Sequence, residues 1–237
     1  MIQINSSAEF RHLLRALADD VVNAHIHWSM FADLRSSMGE HPLVVAQSNT
    51  FWTYTLRAHV AASMQHLCRV FDQEQSSLHL LSWLRTIKAN LDIFEVDEFK
   101  KRLADNPYVE SLADGVAKPD SARLEADITL CLKSDPLVRK LVAYRGSRAA
   151  HRSARLALRA SAAGTDLTLS DLDIETLLAR AKETLNRYSD LFAAQMYSVS
   201  VIGYDDYKCI FSSVEKVVHQ TDAEYAGLST LSGPVPD

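Results

Sequence analysis

Nine apolar residues near the start of the chain recur at helical spacing: Phe10, Leu13, Leu14, Leu17, Val21, Ala24, Trp28, Phe31 and Leu34. Steps of three and four put them along one side of an α-helix, whereas a strand would need strict alternation. The same spacing returns through most of the 237 residues, and alternating patterns are nearly absent. Only seven Gly and six Pro interrupt it. A chain patterned this way buries its apolar faces by packing helix on helix. We therefore expect an all-α fold, a bundle of four to five long helices plus short ones.

Local signals place the elements. Ser6 and Glu9 form a capping-box pattern that opens a first helix running to about Ser36, with Gly39 and Pro42 marking its end. A second long helix is expected from Pro42 to Phe71. The polar turn Asp72 to Ser77 follows, with Ser76 or Ser77 capping a third helix whose apolar face is Leu78, Leu81, Leu84, Ile87, Leu91 and Phe94. Trp83 and His79 sit off that face. Residues 96–119 read as short helices and loops, and a further helix starts near Pro119 and reaches Leu132. Asp135-Pro136 is an N-cap followed by proline at the first helical position. After a linker at residues 162–166, Ser170 caps a long helix carrying Ile174 through Met196 and Val199, and a last helical piece spans Tyr207 to His219. Residues 1–225 are expected to form a single domain, and 226–237 a disordered tail.

Several classes of function are disfavoured. The N-terminus lacks a basic segment followed by an apolar run, and no window approaches the roughly 20 apolar residues of a membrane span. No membrane contact and a cytoplasmic location are expected. Cys68, Cys131 and Cys209 are isolated and odd in number, against a disulfide framework or cysteine zinc site. His25 and His27 point to different helix faces, and His59 and His66 share a face without a matching carboxylate, so no metal is expected. No cofactor is expected either.

One stretch departs from the rest. Between Leu137 and Arg159 stand Arg139, Lys140, Arg145, Arg148, Arg152, Arg155, Arg159 and His151, and no acid occurs between Asp135 and Asp166. The whole chain is acidic, with 30 Asp+Glu against 25 Lys+Arg. On a helix, Arg145, Arg148, Arg152, Arg155 and Arg159 form one stripe, which flanks a core face of Val138, Val142, Ala149 and Leu156. Arg145 and His151 are about 9 Å apart along such a helix and differ by about 120° in direction. They would not touch, yet both can reach one extended phosphodiester. A histidine moves protons near neutral pH, arginines hold a phosphate and its growing charge, and the ribose 2′-OH supplies the nucleophile. This set suits RNA cleavage without metal. A structural reading competes, in which the stripe pairs with Asp171, Asp173 and Glu175 on the next helix.

The run Arg145-Gly146-Ser147-Arg148-Ala149-Ala150-His151 resembles the signature of the HEPN superfamily (higher eukaryote and prokaryote nucleotide-binding domains), in which an Arg and a His stand a few residues apart on a late helix of an all-α bundle. With Ser63 to Asp72 and the Leu-rich stretch Leu78 to Leu91 before it, the chain is most similar to abortive-infection (AbiU-type) HEPN proteins, over roughly residues 10 to 220. The resemblance implies a HEPN-like helical bundle and a metal-independent endoribonuclease, acting as a toxin or phage-defence effector. Arg145 would contact the phosphate and His151 would be the acid/base. Arg148, Arg152, Tyr144 and Arg155 would bind substrate. It further implies RNA as partner, a homodimer with the site at its interface, and an antitoxin or other defence-system partner protein. Two departures bear on this. Gly146 stands where the family usually has Asn, Asp or His, which leaves open a non-catalytic module that binds RNA, nucleotide or protein. Ser153 stands where related toxins place a modifiable Tyr.

Overall fold

The computed structural model describes residues 1–146, 169–200 and 203–231. Among them no strand occurs, and the elements are α1 (Ser7–Glu40), α2 (Pro42–Gln47), α3 (Asn49–Val70), α4 (Leu80–Ala89), a 3-10 turn (Leu91–Phe94), α5 (Val96–Arg102), α6 (Val109–Ala113), α7 (Ser121–Leu130), α8 (Pro136–Tyr144), α9 (Asp171–Ala193) and α10 (Lys208–Leu231). The fold is all-α, as expected.

The described residues fall into two compact units. The first lies within Met1–His25 and Ser63–Val199. Its core is aromatic. Phe10 of α1 stacks on Trp83 of α4 at 5.7 Å and meets Phe192 of α9 edge-on at 4.7 Å. Trp83 also meets Tyr188 at 6.1 Å. Trp83 is thus a central core residue, not the off-face residue expected from spacing. Its neighbours come from α1 and α9, so α4 is covered on more sides than one. Burying rings of this size contributes roughly 25 cal/mol per Å² removed from water.

The second unit lies within Ile26–Ala62 and Ser200–Asp237. Its core joins Leu34, Val44, Trp52 and Phe211, with Met38, Leu56, Tyr207 and Val214 packed against them. Trp52 and Phe211 meet edge-on at 4.8 Å. Tyr207 donates its hydroxyl to Asp33 and shares a hydrogen bond with Ser37.

Several boundaries differ from the sequence reading. Ser6 does accept from the Glu9 amide (3.2 Å), but the Glu9 carboxylate takes the Asn5 amide (2.7 Å), one position earlier than a reciprocal box would have it. α1 runs on to Glu40, through Gly39. The expected helix 42–71 is broken at Ser48, whose φ −149° and ψ 45° are not helical. The third helix is capped by His79, not Ser76 or Ser77. His79 Nδ1 accepts from the Ser82 amide (3.3 Å), Ser82 Oγ accepts from the His79 amide (3.0 Å), and Nε2–H of His79 donates to the Glu74 carbonyl (3.0 Å). A helix break at Asn90 then separates α4 from the 3-10 turn. α9 stops at Ala193, with Ala194 left-handed at φ 48°, so Met196 and Val199 lie beyond it and Met196 is exposed. α10 extends past His219, where the last helical piece was expected to end, to Leu231.

Candidate nucleic-acid interface

The expected site begins at α8. Asp135 Oδ1 accepts from the amides of Leu137 (2.9 Å) and Val138 (3.1 Å), satisfying donors that the helix cannot. Pro136 at the first helical position needs no partner. Val138 and Leu141 are buried and fix which side of α8 faces the core. Val138 was expected there; Leu141 took the place assigned to Val142, which is only half-buried. Tyr144 is the last residue of α8 and is half-buried.

Arg145 follows Tyr144 with helical backbone (φ −54°, ψ −51°), and the turn at Arg145 and Gly146 is of the wider π type. The Arg145 guanidinium is ion-paired with Asp72 through Nη1 and remains 42% exposed. That figure matters, because a fully buried guanidinium would have no face left for a ligand. Asp72 is itself well held. Its Oδ1 also accepts from the amides of Gln73 (2.7 Å) and Glu74 (3.2 Å), closing the turn after α3. Gln73 Nε2 in turn donates to the carbonyls of Asp72 (3.0 Å) and Cys131 (3.1 Å). His79 fastens the far side of the same turn through Glu74. Burial lowers the pKa of His79 from its ordinary 6.5, which keeps the ring neutral and suits its role as acceptor at Nδ1.

Asp72 is the partner of Arg145 that sequence reasoning did not single out. It was read as the start of a polar turn and as the last residue of the family-like stretch Ser63 to Asp72, and no local pattern ties position 72 to position 145. The competing pairing does not include Arg145, which goes to Asp72; the residue that donates to Asp173, at 3.0 Å, is Lys140, outside the stripe. Of the remaining expected site residues, Arg148, His151, Arg152 and Arg155 lie outside the described residues.

Other candidates resolve into structural roles. Cys68, one turn before Asp72, is buried, and burial pushes its thiol up to about 12, so it is no nucleophile near neutral pH. His25 Nε2–H donates to the Leu178 carbonyl at 2.9 Å, and burial lowers its pKa. His59 and His66 do not act together: His59 meets His27 at 3.0 Å, and His66 meets Asp20 at 2.8 Å, where Arg69 also binds. Among the described residues no three His, Cys, Asp or Glu side chains converge as a metal ion would require. No described helix is long and apolar enough to cross a membrane.

Comparison with known proteins bears on the same residues. Residues 7–210 match the family model HEPN_AbiU2, described as AbiU2. Neither curated proteins nor solved structures gave a match. The matched region runs from the first turn of α1 into α10 and includes both Asp72 and the Arg145 to His151 stretch. The chain belongs to the AbiU2 family of HEPN proteins and is a HEPN-type module of the abortive-infection class.

Proposed function

We propose that the protein is a metal-independent endoribonuclease of an abortive-infection or toxin system, acting in the cytoplasm as a homodimer. Residues 1–225 serve as one functional HEPN domain in this reading. Arg145 binds the scissile phosphate and stabilises the charge that develops on it. His151 moves the proton to or from the ribose oxygen or the leaving group. Arg148, Arg152, Arg155 and Tyr144 hold the flanking RNA. The observation that carries the reading is the anchoring of Arg145 by Asp72. A guanidinium has five N–H donors in a fixed fork. Asp72 takes one edge, and the exposed remainder can meet a phosphate already oriented, which saves ordering cost at the moment of binding. The acid-free run from Arg145 to Arg159 supports the same conclusion, because it can follow an RNA backbone without internal neutralisation.

The experiment is RNA cleavage in the presence of a metal chelator by the wild type, Arg145→Ala and His151→Ala, with circular dichroism to confirm folding. Cleavage by the wild type and its loss in both variants is expected. Equal cleavage by His151→Ala would remove that residue from the chemistry.

Gly146 favours a second reading, a module that binds RNA, nucleotide or a neutralising partner without cutting. The polar side chain common at that position in the family is missing. Salt-sensitive RNA binding with no turnover in any condition would select this reading.

A further inference from the structure

A second cationic feature stands on α1 of the first unit. Arg11 and Arg15 are four residues apart and share a helix face. With Ser7, Ala8, His12 and Arg102 they line a cavity of about 380 Å³. Like charges at this spacing repel, and the usual remedy is a carboxylate between them. None is supplied among the described residues. Arg11 Nη2 donates to the backbone carbonyl of Arg102 at 3.4 Å. Glu9 accepts from Asn5 (2.7 Å) and Glu98 from Lys101 (2.6 Å), and the charge of Glu98 reaches Arg102 rather than ion-pairing with Arg11 or Arg15.

Arg102 sharpens the point. Its guanidinium donates from Nε and Nη2 to the Phe192 carbonyl (3.0 and 2.8 Å) and from Nη1 to the Ile93 carbonyl (2.6 Å). It also covers the Phe192 ring at 4.1 Å. It caps the C-terminal end of α9, which accounts for its own position. Yet it leaves a half-buried cation with no ion-paired carboxylate. Burial brings its pKa down to about 10, with Glu98 opposing the drop and the neighbouring Arg11 adding to it. The Tyr197 hydroxyl, within electrostatic reach of Arg15 and Arg11, is buried and has no hydrogen-bond partner among the described residues. The first-turn amides of α1 add the positive end of a long helix dipole at Ser7 and Ala8. Fold stability explains Arg102; it does not explain why Arg11 and Arg15 stand beside it without an ion-paired carboxylate among the described residues.

We propose that this cavity binds a terminal phosphate group, carried by a free nucleotide or by the 5′ end of an RNA. A terminal phosphate is close to dianionic at neutral pH, whereas a backbone phosphodiester carries one charge. Three guanidiniums and a helix N-terminus match the former better. The volume suits a phosphate with part of a nucleoside and is at the lower end for small-ligand sites. Neither Arg145 nor Asp72 is among the described residues that line it, and its occupancy does not depend on RNA being cut.

The test is calorimetry on full-length protein carrying His151→Ala, so that RNA stays intact. The probes are AMP, adenosine, and one short oligoribonucleotide with either a 5′-phosphate or a 5′-hydroxyl. AMP or the 5′-phosphorylated oligonucleotide is expected to bind, with affinity falling about tenfold for each of Arg11→Gln and Arg15→Gln. Adenosine should not bind, and the 5′-hydroxyl oligonucleotide should bind these variants and their parent alike. Binding of AMP identifies the nucleotide as the source, and binding of the phosphorylated oligonucleotide alone identifies the RNA end. Three results overturn the proposal: no saturable binding of either phosphorylated probe, unchanged affinity in both arginine variants, or an equal loss for the 5′-hydroxyl oligonucleotide. Arg15 is exposed, so thermal unfolding of Arg15→Gln should match that of its parent, while Arg11→Gln also loses the bond to the Arg102 carbonyl and is read beside its own melting curve.

Discussion

Arg145, at the end of α8, is ion-paired with Asp72, 73 positions earlier in the turn after α3. The carboxylate is held by two backbone amides of its own turn, so the arginine is attached to a rigid point. Asp72→Asn keeps an acceptor oxygen for those amides and removes the charge that orients Arg145. If Arg145 contacts the reacting phosphate, the substitution should slow single-turnover RNA cleavage by about tenfold to a hundredfold, since small misplacements cost that much. RNA affinity should change far less, because Arg148, Arg152 and Arg155 are untouched. A purely structural role would instead lower the melting temperature and leave the rate of the folded fraction unchanged.

Burial lowers the pKa of three histidines from 6.5, namely His25, His59 and His79. Below pH 6.5 the unfolded chain takes up protons at these positions while the folded chain resists. Stability is therefore fully present above that value and falls as the pH drops through it toward the folded-state values. Carboxylates with lowered pKa, such as Asp173, contribute their loss at lower pH still. Melting curves between about pH 7.5 and about pH 5 should show a falling midpoint, with the slope reduced in His25→Gln and His79→Gln. A midpoint that is flat across this range would remove these histidines from the acid response.

What could be read from the chain was local. Asp135-Pro136 caps α8, and Ser170 with Asp173 caps α9, because those bonds close within three residues of the cap. The all-α class followed from spacing alone. Tertiary choices were not readable. His79 displaced two serines as the α4 cap because a buried ring can bridge Glu74 and Ser82 at once. Ser48 breaks a stretch whose apolar spacing is continuous on either side. Trp83 is central because α1 and α9 cover its side of α4, which no single-helix wheel reveals. Of the candidate site, the arginine was identifiable from its motif. Its partner was not, since an ion pair between distant turns leaves no periodic trace.

Asp127 is the clearest stability test in the first unit. It is 2% exposed and accepts from Arg187 (2.6 Å) and from the Tyr188 hydroxyl (2.8 Å), with Arg123 at 3.3 Å. Burial and the bond to Asp127 push the Tyr188 hydroxyl well above its usual range. Removing the carboxylate leaves Arg187 and a buried hydroxyl without their acceptor. Asp127→Ala should destabilise the fold by about 3–5 kcal/mol, read from urea unfolding. A loss under about 1 kcal/mol would mean that water replaces the carboxylate and that the network is not a structural centre.

Gly146 separates the nuclease from the silent module. A Cβ built there meets nothing within 4 Å among the described residues. Gly146→Ala should raise stability by about 0.5–1 kcal/mol, because glycine loses more backbone entropy in a helix. Gly146→Asn restores the polar residue common at this position in the family and should be close to neutral for folding. If the native glycine weakens a working site, the asparagine variant cleaves RNA faster than the wild type while the alanine variant does not. If neither cleaves, and both bind RNA as the wild type does, the binding-module reading stands and Arg145 is a ligand-positioning residue without a reaction to serve. The comparison needs only one RNA substrate and the three proteins, assayed where all are folded, and His151→Ala in the asparagine background shows whether any gained activity passes through the proposed histidine.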